Sequence, residues 1–278
     1  MKKKNSLIYY IAVILILIFC LGPIIWCFII SITPETQMLN QSSKILPDKY
    51  ILDNYKLIFT AGTDEHNTVM TGLYNSLKIA LITIAIGVPI TVITGYALSR
   101  YEFKGKKQFV NLLLLTIVIP VFTTIIPVYN IFRNLNLLDS MFWTSIIYIS
   151  SIIPLNTWIV MNYIKELPKE LWQAAELDGF TEIQIFTKII LPLCIPTIVT
   201  IILITFLMVW KQYIIPIILI SSYTNRTITM VMSDFMTRDM IRYGMISACG
   251  ILAIIPPAVA AMVFRKFLIK NMASGSLK

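Results

Sequence analysis

Long uninterrupted runs of apolar residues dominate the sequence, with short polar segments between them. Six runs are long enough to cross a bilayer as helices, which takes about 20 residues each. They cover residues 7–30, 79–98, 109–132, 141–163, about 196–220 and 243–264. The first run is longer than the apolar part of a signal peptide, so we expect it to remain as a membrane helix. The pattern predicts an all-α membrane protein with six transmembrane helices, the third softly broken by Pro120 and Pro127.

Composition supports this prediction. The chain is 57% hydrophobic and only 13% charged, whereas soluble globular chains carry about 25% charged residues. These values exclude a soluble globular protein, and the high hydropathy excludes a disordered one. His66 is the only histidine and the four cysteines form no CxxC pair. We therefore predict no metal site and no catalytic residue.

The distribution of basic residues predicts that both termini lie in the cytoplasm. Segments 1–6, 100–108, 164–195 and 265–278 carry 14 Lys and Arg residues, and the segments on the other side carry 7. Cytoplasmic loops of membrane proteins are enriched in these residues. We therefore expect the basic residues behind the net charge of +9 to lie in cytoplasmic loops. The chain is predicted to be a multi-pass protein of the cell membrane and to have no nucleic-acid partner.

The loop at 164–195 is the most informative polar segment. Pro168 suits the first turn of a helix, and Gly179 suits a left-handed stop. Thr181 and Gln184 have the spacing of a capping box. The loop is therefore predicted to form a helix, a glycine turn and a second helix on the cytoplasmic face.

This loop has two physical interpretations. The small pair Ala174–Ala175 favours close approach by another protein. The alternative is an amphipathic helix on lipid headgroups, which five acidic residues against three lysines in the loop disfavour, because the inner leaflet is negative.

The loop also resembles a family motif. Gln173-Ala174-Ala175, then Gly179, nine residues and Ile189 to Pro192 match the spacing of the EAA loop of type I ABC importer permeases. Gln173 stands where that family has Glu, which removes the charge for an ion pair. The segments 52–59, 73–80, 95–107 and 270–278 resemble carbohydrate permeases, the maltose-permease G-type subunits.

The resemblance implies a type I ABC importer permease fold with a cytoplasmic EAA coupling helix. It implies a permease domain at 70–268 containing the EAA loop (164–195), between an N-terminal helix and extracytoplasmic loop at 1–69 and a cytoplasmic tail at 269–278. The implied ATPase-docking residues are Gln173, Ala174, Ala175, Asp178, Gly179, Phe186 and Pro192.

The implied partners are a second, F-type permease subunit, ABC ATPase subunits and an extracytoplasmic sugar-binding protein. The implied function is sugar import driven by ATP, which the partner ATPase uses. This chain lacks the GxxxxGK[ST] phosphate loop, so we expect it to bind no cofactor and to have no ATPase site.

The fifth span carries the candidate pathway residues. Lys211 is expensive inside a membrane, so the pathway wall is one interpretation and snorkelling to the headgroups is the other. Phe206, Trp210 and Tyr213 fall on one helix face, which suits either stacking on sugar rings or ordinary packing.

Two other functional classes stay open on the residues alone. An ion-coupled secondary transporter usually needs acidic residues inside the membrane, and the six predicted spans contain none. The other class is a non-transporting scaffold, in which the 164–195 loop recruits a cytoplasmic partner.

Overall fold

The computed structural model describes residues 2–39, 46–236 and 241–275, and helices form almost all of its secondary structure. In chain order the helices are α1 (Lys2–Ser31), α2 (Glu35–Leu39), α3 (Asp53–Phe59), α4 (Asp64–Arg100), α5 (Lys106–Val118), α6 (Val121–Asn134), α7 (Met141–Lys165), α8 (Glu170–Leu177), α9 (Glu182–Gln184), α10 (Leu191–Leu193), α11 (Ile195–Trp210), α12 (Ile214–Leu219), α13 (Ile228–Asp234) and α14 (Tyr243–Gly275). A π-helix, Ile185–Ile190, joins α9 to α10, and a 3₁₀ turn, Tyr223–Asn225, follows α12. Residues 40–45 of the predicted outer loop and 276–278 of the predicted tail lie outside the described residues.

In these described ranges, four helices are long and apolar enough to cross a membrane. They contain Ile8–Ser31, Asp64–Arg100, Met141–Lys165 and Tyr243–Arg265. Two bent pairs raise the number to six if each pair forms one span: Lys106–Val118 with Phe122–Asn134, and Glu182–Leu193 with Ile195–Trp210. The helices therefore accommodate six spans, but three of the predicted spans differ in detail.

The third predicted span is sharply bent, so the expectation of a soft break is wrong. Its two helices, α5 and α6, meet at 95°. Ile119, before Pro120, is extended with φ −69° and ψ 118°, the conformation that a following proline favours. Pro127 lies inside α6 without ending it, so Pro120 marks the break.

The second predicted span begins earlier than expected. α4 starts at Asp64 and places two acidic residues, Asp64 and Glu65, in its first turn, where the helix dipole favours negative charge. The backbone N–H of His66 donates to Oγ1 of Thr63 at 3.1 Å. The segment predicted as an outer loop therefore contains α2, α3 and the start of α4.

The fifth predicted span also ends early. α11 stops at Trp210, and Lys211 is its C-cap residue. The apolar run continues to residue 220, but the helix is interrupted at 211–213 and the short α12 follows. Lys211 is therefore at a helix end, not inside a continuous helix as predicted. A cation is favoured there by the helix dipole.

The chain divides into two compact units. The first comprises Met1–Leu73 and Thr227–Pro256. Within it, the Glu35 carboxylate accepts from the backbone N–H of Gly244 at 2.9 Å, and Arg242 pairs with Glu65 at 2.8 Å. Polar side chains therefore fix the ends of α2, α4 and α14 inside this unit.

The second unit comprises Tyr74–Arg226 and Pro257–Lys278, and α7 lies at its centre. α4 approaches α7 closely at Gly95, where an added Cβ would lie 2.7 Å from Cγ1 of Val160. α7 contacts α11 through a buried hydrogen bond from Asn156 Nδ2 to Thr205 Oγ1, 2.9 Å long. Small residues and interhelical hydrogen bonds of this kind hold membrane helices together.

The turn before α7 anchors the end of α12 in the same unit. Asp139 has a positive φ of 61° and accepts from the backbone N–H groups of Ser221 and Ser222 at 3.2 and 3.0 Å. Burial opposes ionisation of Asp139, but the hydrogen bonds from Ser222 and Ser221 outweigh it and lower its pKa. At pH values above the acidic range, the ionised Asp139 carboxylate therefore stabilises this turn.

Candidate functional site

Residues 170–193, between α7 and α11, form the helix–turn–helix predicted from the sequence. α8 begins at Glu170, just after Pro168, so this proline precedes the first turn instead of occupying it. Gly179 has φ +77°. Its N–H donates to Glu176 O at 3.1 Å, and the N–H of Phe180 donates to Ala175 O at 3.0 Å. These two bonds are a Schellman motif, which confirms the predicted glycine stop.

The second helix of the 170–193 segment starts as predicted and then changes type. Thr181 and Gln184 form a reciprocal capping box, with the Thr181 N–H donating to Gln184 Oε1 at 2.9 Å. After α9 the backbone widens into the π-helix Ile185–Ile190. π-Helical turns are rare and often accompany functional sites.

The C-terminal end of α4 contacts both helices of this segment. Arg100 pairs with Glu176 on α8 through Nη2 and with Glu182 on α9 through Nε, the latter at 3.2 Å. Tyr96, one turn earlier, donates its hydroxyl to Glu182, and its ring lies 4.7 Å from that of Phe186. The sequence does not reveal these contacts, because no local spacing connects α4 to residues about 80 positions later.

One face of the 170–193 segment is buried in its own protein. Trp172, Ala175, Ile185 and Ile190 belong to a core cluster with Val160 and Ile201. Ala175 is only 3% exposed, so the prediction that Ala174 and Ala175 together form a docking face is wrong for Ala175. The helical period puts Ala174 on the exposed side and Ala175 on the core side.

The segment also exposes two large apolar side chains that the sequence patterns did not predict. Leu177 is 89% exposed and Ile183 is 75% exposed. They lie on either side of the Gly179 turn and are the most exposed large apolar side chains of the segment. A leucine two residues before a glycine that ends a helix was the sequence signal that could have identified this exposure. We call Leu177 and Ile183 the apolar tip.

The other predicted docking residues are distributed between the two faces. Gln173, Asp178, Gly179 and Pro192 are exposed. Gln173 lines a cleft of about 430 Å³ with Lys169 and Glu176. Phe186 is half-buried against Tyr96, so its aromatic ring stabilises the segment from inside.

The predicted pathway residues are not brought together. Phe206 and Trp210 stack on each other with their centroids 5.4 Å apart, and both are buried within the chain. Lys211 and Tyr213 are exposed. α11 ends at Trp210, so Tyr213 does not continue its helical face, and the predicted three-residue aromatic face does not form.

Known proteins resemble the chain along most of its length. The sequence profile described as "Binding-protein-dependent transport system inner membrane component" matches residues 87–274. The trehalose transport system permease protein SugB of Mycobacterium tuberculosis is 30% identical over 264 residues, covering 94% of this chain and 93% of that protein. The arabinooligosaccharides transport system permease protein AraQ of Halalkalibacterium halodurans is 27% identical and covers 100% of both chains.

The fold has a counterpart among solved structures. A chain of a bacterial ABC transporter involved in the import of the acidic polysaccharide alginate superposes with a TM-score of 0.73 at 20% sequence identity, covering 95% of this chain and 97% of that one. The fold is therefore that of an ABC importer permease. The chain belongs to the family of inner-membrane components of binding-protein-dependent transport systems.

Proposed function

We propose that this chain is one of two permease subunits of an ATP-driven importer of sugars or oligosaccharides. Its relatives are named as permeases for trehalose and arabino-oligosaccharides, which supports this substrate class. A partner ATPase uses the ATP, a second permease subunit completes the pathway, and an extracytoplasmic binding protein delivers the sugar. This chain itself binds no cofactor and does not hydrolyse ATP.

The observation that carries the proposal is the two-faced 170–193 segment. Its core face packs on α4 and α7, whereas Leu177 and Ile183, the apolar tip, are 89% and 75% exposed. A few side chains that fill desolvated pockets of the partner carry most of the affinity of a protein–protein interface, and burying exposed apolar surface is favourable. The apolar tip therefore docks in a cleft of the ATPase, and Gln173 and Asp178 surround it with polar contacts.

The orientation of the chain follows from this docking. The ATPase is cytoplasmic, so the 170–193 segment and both termini lie on the cytoplasmic side, in agreement with the excess of basic residues there. Lys211 and Tyr213, exposed at the break between α11 and α12, face the pathway. Tyr213 offers a ring and a hydroxyl for a sugar.

Substitution at the apolar tip tests the docking. The Leu177→Glu variant should lose co-purification with the ATPase subunits by about tenfold or more, because it removes an anchor and buries a charge. Thr187→Glu adds the same charge to an exposed position of the same segment and should retain the ATPase. Equal recovery of the ATPase with both variants would reject the docking surface.

A secondary transporter is the competing function. The described membrane-crossing helices contain acidic residues only near their ends, as in α4. Uptake that persists without the ATPase subunits and depends on an ion gradient would favour that alternative.

A further inference from the structure

Arg100 connects three helices of the second unit. It is the last residue of α4, and its guanidinium pairs with Glu176 on α8 and Glu182 on α9. Because these carboxylates lie on either side of the Gly179 turn, one side chain spans the turn and fixes both helices to the end of α4. Tyr96 adds a hydroxyl bond to Glu182.

These contacts are partly shielded from water. The side chains of Arg100, Glu182 and Glu176 are 27%, 35% and 51% exposed, and Tyr96 is almost fully buried. A guanidinium can bond two carboxylates at once with its planar fork, which a lysine ammonium cannot do with the same geometry. We call Arg100, Glu176, Glu182 and Tyr96 the α4 clamp.

The α4 clamp and the apolar tip are separate. The clamp residues contact α4 and line, through Arg100 and Glu176, the cleft that Gln173 borders. Leu177 and Ile183 take no part in these contacts and are 89% and 75% exposed. Beyond the clamp, the π-helix is followed by a bend of 71° between Glu182–Leu193 and Ile195–Trp210. The clamp therefore couples the segment directly to α4, whereas the route to α11 passes through a bend.

We propose that Arg100 is the positioning residue that transmits movement of the 170–193 segment to α4, without itself contacting the ATPase. This proposal rests on the proposed function, because the movement comes from the docked ATPase. Loss of the clamp should leave docking intact and should loosen the segment relative to α4. Transport should then be uncoupled from ATP hydrolysis.

Pulsed electron paramagnetic resonance on the full chain in nanodiscs measures how rigidly the clamp holds the 170–193 segment on α4. Spin labels at Ile93→Cys on α4 and Lys188→Cys on the π-helix, with Cys20 and Cys27 replaced by Ala, report the distance between the two elements. We expect a narrow distribution that broadens in Arg100→Ala and partly in Arg100→Lys. Lys107→Ala removes the same charge from the start of α5 and should leave the distribution narrow.

The functional arm uses the complex reconstituted with its ATPase, partner permease and binding protein, and radiolabelled trehalose or arabino-oligosaccharide. With Arg100→Ala, co-purification of the ATPase should match wild type, and uptake should fall by at least about tenfold, within the usual range of coupling between sites. Lys107→Ala should transport normally.

Several results would overturn the proposal: a narrow distance distribution in Arg100→Ala, normal uptake, or loss of the ATPase. If Arg100→Ala is not recovered from membranes, the Tyr96→Phe and Glu182→Gln double variant replaces it. Broadening in that double variant supports the clamp, and an unchanged distribution rejects it. If wild type transports no sugar, the proposed function fails, and the spin-label distances still decide the clamp.

Discussion

At the scale of single residues, Ala174 and Ala175 have opposite environments although they are neighbours in the chain. Ala175 is buried beside Trp172 in the core cluster, and Ala174 is exposed. A long charged side chain is tolerated at an exposed helix position but not in a packed core, where it would be buried without a partner. A substitution at Ala174 should therefore affect docking, whereas one at Ala175 should affect folding.

We predict different outcomes for the same substitution at these positions. Ala174→Arg should insert and remain monodisperse in detergent but should bind the ATPase weakly, since it stands beside the apolar tip. Ala175→Arg should fail to give monodisperse protein, because it disrupts the core. Fluorescence-detected size exclusion followed by ATPase co-purification measures both effects. A stable Ala175→Arg variant that lacks only the ATPase would restore Ala175 to the docking face.

Gln173 is neutral, and the structure decides which acidic neighbour could supply a charge near it. Glu176, three residues after Gln173, could supply the charge that Gln173 lacks, but its carboxylate pairs with Arg100. Glu170 remains exposed one turn before Gln173. Because exposed ion pairs contribute only about 0–1 kcal/mol, the neutral Gln173 is compatible with docking through hydrogen bonds.

At the scale of helices, close packing between α4 and α7 depends on Gly95. An added Cβ would meet Cγ1 of Val160 at 2.7 Å and the backbone N of Met161 at 3.2 Å. Neither neighbour is the free end of a flexible side chain, so the helices must move apart to accept a methyl group. Small residues at such crossings allow membrane helices to approach.

Gly95→Ala should therefore destabilise the protein by about 1–3 kcal/mol, as overpacking typically does. Gly22→Ala is the matched control on α1, where a Cβ would meet no atom within 4 Å. Thermal unfolding in detergent should show a lower midpoint for Gly95→Ala alone. Equal midpoints for the two variants would mean that α4 and α7 do not approach as closely as described.

Local signals predicted the parts of the site that local hydrogen bonds determine. The Gly179 stop and the Thr181 cap each close within a few residues, so their residue types and spacing were sufficient. The contacts of Arg100 with Glu176 and Glu182 join residues 76 and 82 positions apart, which no spacing reveals. The end of α11 at Trp210 was missed for a related reason: the apolar pattern continues past the break.

At the scale of the whole molecule, the proposed function needs a defined orientation in the membrane. The excess of basic residues and the proposed docking of the 170–193 segment predict the same cytoplasmic side. Tyr50 is exposed and lies in the segment between α2 and α3, which should be extracytoplasmic. Lys188, in the 170–193 segment, should be cytoplasmic.

Cysteine labelling in intact cells should confirm this orientation. A membrane-impermeant maleimide should react with Tyr50→Cys from outside and should reach Lys188→Cys only after the cells are opened. Both variants should be made in a background in which Cys20 is replaced by Ala, since Cys20 is exposed. Labelling of Lys188→Cys in intact cells would reverse the topology.

Sugar uptake by the reconstituted complex in proteoliposomes measures the proposed function itself. The complex would contain this chain, its partner permease and ATPase, with the binding protein supplied outside, and radiolabelled trehalose and arabino-oligosaccharides as probes. We expect uptake that requires both internal ATP and the binding protein and that vanadate abolishes. Uptake that proceeds without ATP, or no uptake of any sugar by a complex that hydrolyses ATP, would contradict the proposed function.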